Sequence, residues 1–116
     1  MSSEPELSRA ARTPLTLERK FTLLADRRRR TLLFVLGDAS GPVRLTDLSE
    51  RLLARESPDS AADSAALERI QLELHHVDLP KLADADVVAY DSETRTVSRG
   101  RRFEDVHSWL ELVDVR

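Results

Sequence analysis

The tightest constraint on the fold is the run Leu72-Glu-Leu-His-His-Val-Asp-Leu-Pro-Lys-Leu82, followed at once by Ala85-Asp-Val-Val-Ala-Tyr-Asp91. Leu67, Ile70, Leu74 and Val77 recur at helical spacing, and Leu72, Leu79 and Leu82 form a second apolar row on the same cylinder. Two rows on one helix require more than one packing neighbour. Pro80 has no amide to donate and crowds the carbonyl four residues back, so the spacing predicts a kink or a break there. Beyond it, Val87-Val88-Ala89-Tyr90 and Arg95-Thr96-Val97-Ser98 flank the polar stretch Asp91-Ser-Glu-Thr94, the pattern of two short strands around a turn.

The rest of the chain supplies helices to pack against this unit. Residues 1–15 are polar, contain Pro5 and Pro14, and are expected to form a mobile arm. Thr16 is placed to cap a helix whose apolar face uses Phe21, Leu24, Ala25, Leu32, Phe34, Val35 and Leu36. That face spans 18–37, is interrupted by Arg27–Arg30, and stops at Gly37 and Gly41-Pro42. Val43-Arg-Leu45 can supply a small third strand. Thr46 is a plausible cap for a second helix with Leu48, Leu52 and Leu53 inside, ending near Glu56. Ser60 or Asp63 can cap the third helix. Phe103, Val106, Trp109, Leu110 and Val113 make an amphipathic C-terminal helix. The expected class is mainly α with a small β-hairpin, organised as an arm (1–15), one domain (16–100) and a terminal helix (101–116).

With 116 residues, one domain is the natural size, and a domain this small often gains stability by associating. Cysteine is absent, which excludes disulfides and Cys-based metal sites. No apolar run is long enough to span a membrane and the first residues do not read as a signal peptide, so a cytoplasmic location without membrane contact is expected. The net charge is -3, which argues against a general nucleic-acid coater. Its distribution is uneven, however: 18–38 holds six basic and three acidic side chains, whereas 103–116 holds four acidic and one basic. Scarce lysine beside abundant Asp, Glu and Arg also suits a high-salt cytoplasm.

Four pieces together carry a resemblance: Leu32-Leu33-Phe34-Val35-Leu36 preceded by Asp26-Arg-Arg-Arg-Arg30; Gly41-Pro42-Val43 with Leu45-Thr-Asp-Leu48; His76-Val-Asp-Leu-Pro-Lys-Leu82; and Val87-Val88-Ala-Tyr-Asp91. Over about residues 18–99 the chain resembles an uncharacterised winged helix-turn-helix domain abundant in halophilic archaea and akin to ArsR-like transcriptional regulators. The resemblance implies that the helix ending at Leu79 is a recognition helix and the turn at 91–94 a wing. Such relatives commonly carry glycine where this chain has Asp86, a position that would suit a left-handed backbone, which aspartate tolerates better than most residues.

Candidate site residues follow from that placement. Arg69, Gln71 and His76 lie between the two leucine rows, and arginine and glutamine can each present paired groups to a base edge. Against this, 59–78 holds five carboxylates and one arginine, a poor match to a polyanion. Arg95 and Arg99 share a strand face if the strand extends that far, and with Arg101 and Arg102 they make a basic patch suited to phosphate. Arg28 and Lys81 are further phosphate candidates, although arginines of the 27–30 run are equally suited to pairing with carboxylates of the chain itself. Phe103, Val106, Trp109, Leu110 and Val113 offer a face for either the domain's own core or a second copy, and pairing into a homodimer is favoured. His75 and His76 point about 100° apart on a helix and cannot easily share a metal. No metal, cofactor or catalytic constellation is indicated. The leading expectation is a homodimeric, sequence-specific regulator that binds double-stranded DNA. The alternative is a winged-helix module that binds protein, such as a component of the transcription machinery.

Overall fold

The computed structural model describes residues 15–113, so the expected arm falls outside them except for Leu15. The Thr16 hydroxyl accepts the Arg19 amide at 3.1 Å and starts α1 (Leu17–Leu24). The face anticipated over 18–37 belongs to two helices. Asp26 adopts extended backbone, and its carboxylate accepts the amides of Arg28 and Arg29, opening α2 (Arg27–Asp38). Gly37 lies inside α2 and does not end it. Strand β1 (Val43–Arg44) leads directly into α3 (Leu45–Glu56). Thr46 lies within that helix and is no cap. The amide of Leu45 is instead taken by the Arg95 carbonyl at 2.8 Å, so a distant turn helps to start α3.

After a short 3-10 turn (Pro58–Ser60), Asp63 accepts the amides of Ala65 and Ala66 and caps α4 (Ser64–Glu73). The chain does not break at Pro80. It passes through a π turn (Leu74–Asp78), in which the Leu79 amide reaches back to the Leu74 carbonyl, and continues as α5 (Leu79–Asp84). The wide turn admits one additional residue just before a proline that cannot donate, a recognised way of keeping a helix continuous. It also re-registers the side chains. Leu74, Leu79 and Leu82 are fully buried, whereas Val77 and Leu72, each placed in an apolar row by the sequence pattern, are 45% and 59% exposed.

Both hairpin strands lie one residue later than their sequence pattern suggests: β2 (Val88–Asp91) and β3 (Thr96–Arg99). Val87 is drawn out of β2 because its amide closes the end of α5 on the Leu82 carbonyl at 2.9 Å. Arg95 has φ 58° and belongs to the turn. Asp86 has φ 63°, as its glycine-like position implied. The sheet is antiparallel, ordered β1-β3-β2, with Val97 opposite both Val43 and Tyr90. Gly100 is required where the chain leaves β3, because a Cβ there would strike the Asp86 carbonyl.

The C-terminal α6 (Phe103–Val113) closes the core. Phe103, Val106 and Leu110 are 1%, 0% and 1% exposed, packed with Leu32, Leu33, Leu36 and the α3 leucines. This corrects the reading of those three as a free pairing face, since they already fill the subunit's own interior. Trp109 is only partly buried, and the Val113 side chain lies outside the described residues. The fold is therefore mainly α-helical, with a small antiparallel hairpin and a C-terminal helix that keeps one face exposed.

Candidate nucleic-acid interface

The outer face of α4 and its continuation carries Ala65, Glu68, Arg69, Leu72 and His76, all exposed. Gln71 is half-buried at the edge of this face. Arg69 has no ion-pair partner among the described residues, so its guanidinium is available. Five carboxylates between Asp59 and Asp78 made this segment look hostile to a polyanion, and the fold changes that balance. Glu73 pairs with Arg28, Asp78 pairs with Arg29 at 3.3 Å, and Asp63 is occupied as the α4 cap. Asp59 and Glu68 remain without an ion-pair partner among the described residues. The arginine run of α2 thus masks the negative charge of the helix packed beside it.

Arg28 itself is held by two carboxylates: Nε and Nη2 donate to the Glu56 carboxylate at 2.8 and 2.9 Å, and Nη1 donates to Glu73. The Glu56 hydrogen bond, with the help of Glu73, raises its pKa further against partial burial. It is a clasp between α2, α3 and α4, and not a side chain free to meet phosphate. Arg99 is likewise engaged. Its guanidinium donates to the carbonyls of Leu36, Gly37 and Ala39 and so caps the end of α2, while stacking 5.2 Å over the Phe103 ring. Arg101 stands 3.6 Å from Asp86 with both groups well exposed, an arrangement that holds little energy and leaves it available. Lys81 is exposed on α5.

The start of the π turn meets the hairpin. His75 Nδ1 and the Tyr90 hydroxyl are 2.7 Å apart, and the His76 ring packs edge-on against His75 at 4.8 Å. Burial raises the Tyr90 pKa, opposed by the charge of Arg95, which places that guanidinium within electrostatic reach of the hydroxyl. His76 thus packs against the His75–Tyr90 junction and the charge of Arg95 acts on it, whereas Arg99 points away into the α2 terminus. The turn is braced by Asp91, whose Oδ1 accepts the amides of Glu93 and Thr94, and by a 2.8 Å contact between the hydroxyls of Thr94 and Thr96.

The sequence reading weighed His75 with His76 as metal ligands and gave Tyr90 no role, and their pairing was missed because neither residue type announces a contact across fifteen positions. Arg44, exposed beside Thr96 through the β1–β3 register, was also missed because a two-residue strand has no pattern to read. Among the described residues no group of His, Asp and Glu is arranged to hold a metal ion, and no helix is long and apolar enough to cross a membrane. No curated protein and no solved structure matches the chain. Residues 21–98, which take in every element from within α1 to the hairpin, do match a family, and the chain belongs to it: the one described as Domain of unknown function (DUF7344).

Proposed function

We propose that this domain is a winged helix-turn-helix regulator that binds double-stranded DNA in a sequence-specific manner, with α4 in the major groove and the β2–β3 turn over adjacent backbone. The observation that carries the reading is the internal neutralisation of Glu73 and Asp78 by Arg28 and Arg29, with Arg69 exposed on the outer face of α4 and without an ion-pair partner among the described residues. Arg69 and His76 are the base-edge readers, with Gln71 at the margin. Arg95, Arg101 and Lys81 serve the phosphates. The active species is a homodimer that blocks or aids polymerase at a promoter, and its half-sites lie about one helical turn apart.

Binding of selected genomic fragments and of scrambled duplexes over a salt series tests this. Arg69→Ala should narrow the gap between selected and scrambled sequence. Arg95→Ala should weaken both alike and lower the salt slope by about one. Equal loss on both duplexes for Arg69→Ala would remove its assigned role.

A second reading, a module that binds protein, is favoured by the exposure of Leu72 and Val77 on this same helix segment. Leu72→Ser separates the two. It should leave duplex affinity within about threefold if α4 meets DNA chiefly through polar groups, and should abolish capture of a protein partner if that helix docks one.

A further inference from the structure

The geometry points to a second polyanion-binding surface, a track of arginines that starts at the hairpin turn and crosses β1, α3 and α2 away from the α4 face. It rests on the duplex-binding reading only for the identity of the polyanion. The Arg95 carbonyl bonds the Leu45 amide, and Arg44 is paired opposite Thr96, so the hairpin arginine and the β1 arginine are neighbours. Arg44 and Arg51 line one groove, which ends at Asp38. Asp38 also lines the next groove, with Arg55, Arg27 and Arg30.

Arg27, Arg44, Arg51, Arg55 and Arg95 are all exposed, and none has an ion-pair partner among the described residues. Arg30 gives one donor to the Leu24 carbonyl at 2.6 Å and is only partly buried. Against these six stand Asp38, Asp47 and Glu111 in the two grooves, with exposed Glu50 next to Arg51 and exposed Glu93 two residues from Arg95, and Glu56 is already held by Arg28. The track is thus net positive in a chain whose net charge is -3.

Its shape selects the ligand. The cations come in pairs from α2 and α3 and singly from β1 and the hairpin turn, and five of the six are spread over two adjoining grooves, whereas a compact anion would need them to converge. Arg51 and Arg55 stand one helical turn apart, about 6 Å along α3. A nucleic-acid strand offers a charge every ~3.4 Å of its axis, so both can be met at once. Arginine's planar fork suits phosphate oxygens, and a linear repeat of them fits the track better than a folded acidic protein surface. The duplex leaving the turn would continue along α3, or a flanking segment would bend onto it.

The test is anisotropy titration of the full chain with a random-sequence duplex of roughly four turns over a salt series. Arg51→Ala/Arg55→Ala should lower the slope of log affinity against log salt by about two, and Arg51→Lys/Arg55→Lys should restore it. Because both side chains are exposed and unpaired, the thermal midpoint should not move. A slope unchanged in the double alanine variant overturns the track, as does competition by poly-glutamate equal to that by duplex at matched charge. If wild type discriminates sequence through Arg69 while the double variant matches it on random duplex, the track alone fails. If the double variant loses the slope but wild type shows no discrimination, the track stands and groove reading by α4 fails. A wild type that binds no duplex at low salt removes both.

Discussion

From within the protein, the guanidinium of Arg29 donates to the Leu23 carbonyl at 2.7 Å, the Thr22 carbonyl at 3.2 Å and the Asp78 carboxylate at 3.3 Å. Burial holds the Asp78 carboxyl above its ordinary value, with repulsion from Asp26 adding to the effect and attraction to Arg29 opposing it. The folded carboxyl therefore keeps its proton more readily than the unfolded one. Its contribution to stability is fully present below the unfolded value of 3.8 and is lost as pH rises through the folded value. Removing Arg29 leaves that carboxylate buried without its counter-charge, for which a cost of about 3–5 kcal/mol is typical. Taking up a proton relieves part of it, so the loss in Arg29→Ala should be larger at pH 8 than at pH 5, and Asp78→Asn should flatten the difference. Urea titrations at both pH values check this, and an equal loss at each would show that Asp78 is not the partner that matters. Little of it could be read beforehand. The run of four arginines was visible, and pairing with the chain's own carboxylates was one reading of it. Which arginine faces inward depends on Asp26 starting a new helix, and an aspartate in an otherwise continuous apolar pattern is an ambiguous signal.

Helices were legible where apolar spacing was strong, as in α3 and α6, and the hairpin was legible because two β-branched runs bracket a polar turn. The π turn was not. A proline announces that the ladder is interrupted, but whether the chain breaks, kinks or widens depends on packing against α3 and the sheet. Its effect is to set Leu74 and Leu79, five residues apart, on one buried face and to turn Val77 outward, although Leu74 and Val77 share an apolar row in the sequence. Leu74→Ala should cost about 2–5 kcal/mol, whereas Val77→Ala should stay below about 1 kcal/mol, as measured by chemical denaturation. Similar losses for both would mean that the helix runs on in its original register. The hairpin turn carries its own pH dependence. Hydrogen bonds from the Thr94 and Glu93 amides hold the Asp91 carboxyl below its ordinary value. That bracing is present above the unfolded value of 3.8 and is lost as pH falls through the folded one. The protection factors of the Glu93 and Thr94 amides, taken relative to the intrinsic exchange rate at each pH, should fall in the wild type as pH drops below 3.8. Asp91→Asn, whose side-chain oxygen accepts the same bonds, should remove that dependence.

At the scale of the whole molecule, two apolar areas stand uncovered among the described residues. One is Leu72 with Val77. The other runs between α1 and α6, where Leu17, Phe21 and Leu112 are exposed and the Phe21 and Trp109 rings meet edge-to-face at 5.0 Å. With Phe103, Val106 and Leu110 withdrawn into the core, this second area is where two copies would join. Sedimentation should show the mass rising from one copy to two with concentration, and Phe21→Ser should hold it at one. A single-copy mass for wild type at every concentration would remove the two-fold operator geometry. The architecture itself was largely legible from length and patterning, but the destination of the α6 face was not, because an amphipathic stripe looks the same whether its own domain or a neighbour covers it. That destination bears on how the protein can be dissected. The family match ends at residue 98, before α6 begins. A fragment trimmed to those limits would lose three large side chains from its centre, each worth about 1.5–3 kcal/mol of burial, against a typical total stability of about 5–15 kcal/mol. The stretch that matches the family is thus shorter than the core it helps to build, and a recombinant fragment that keeps this core intact has to run through α6.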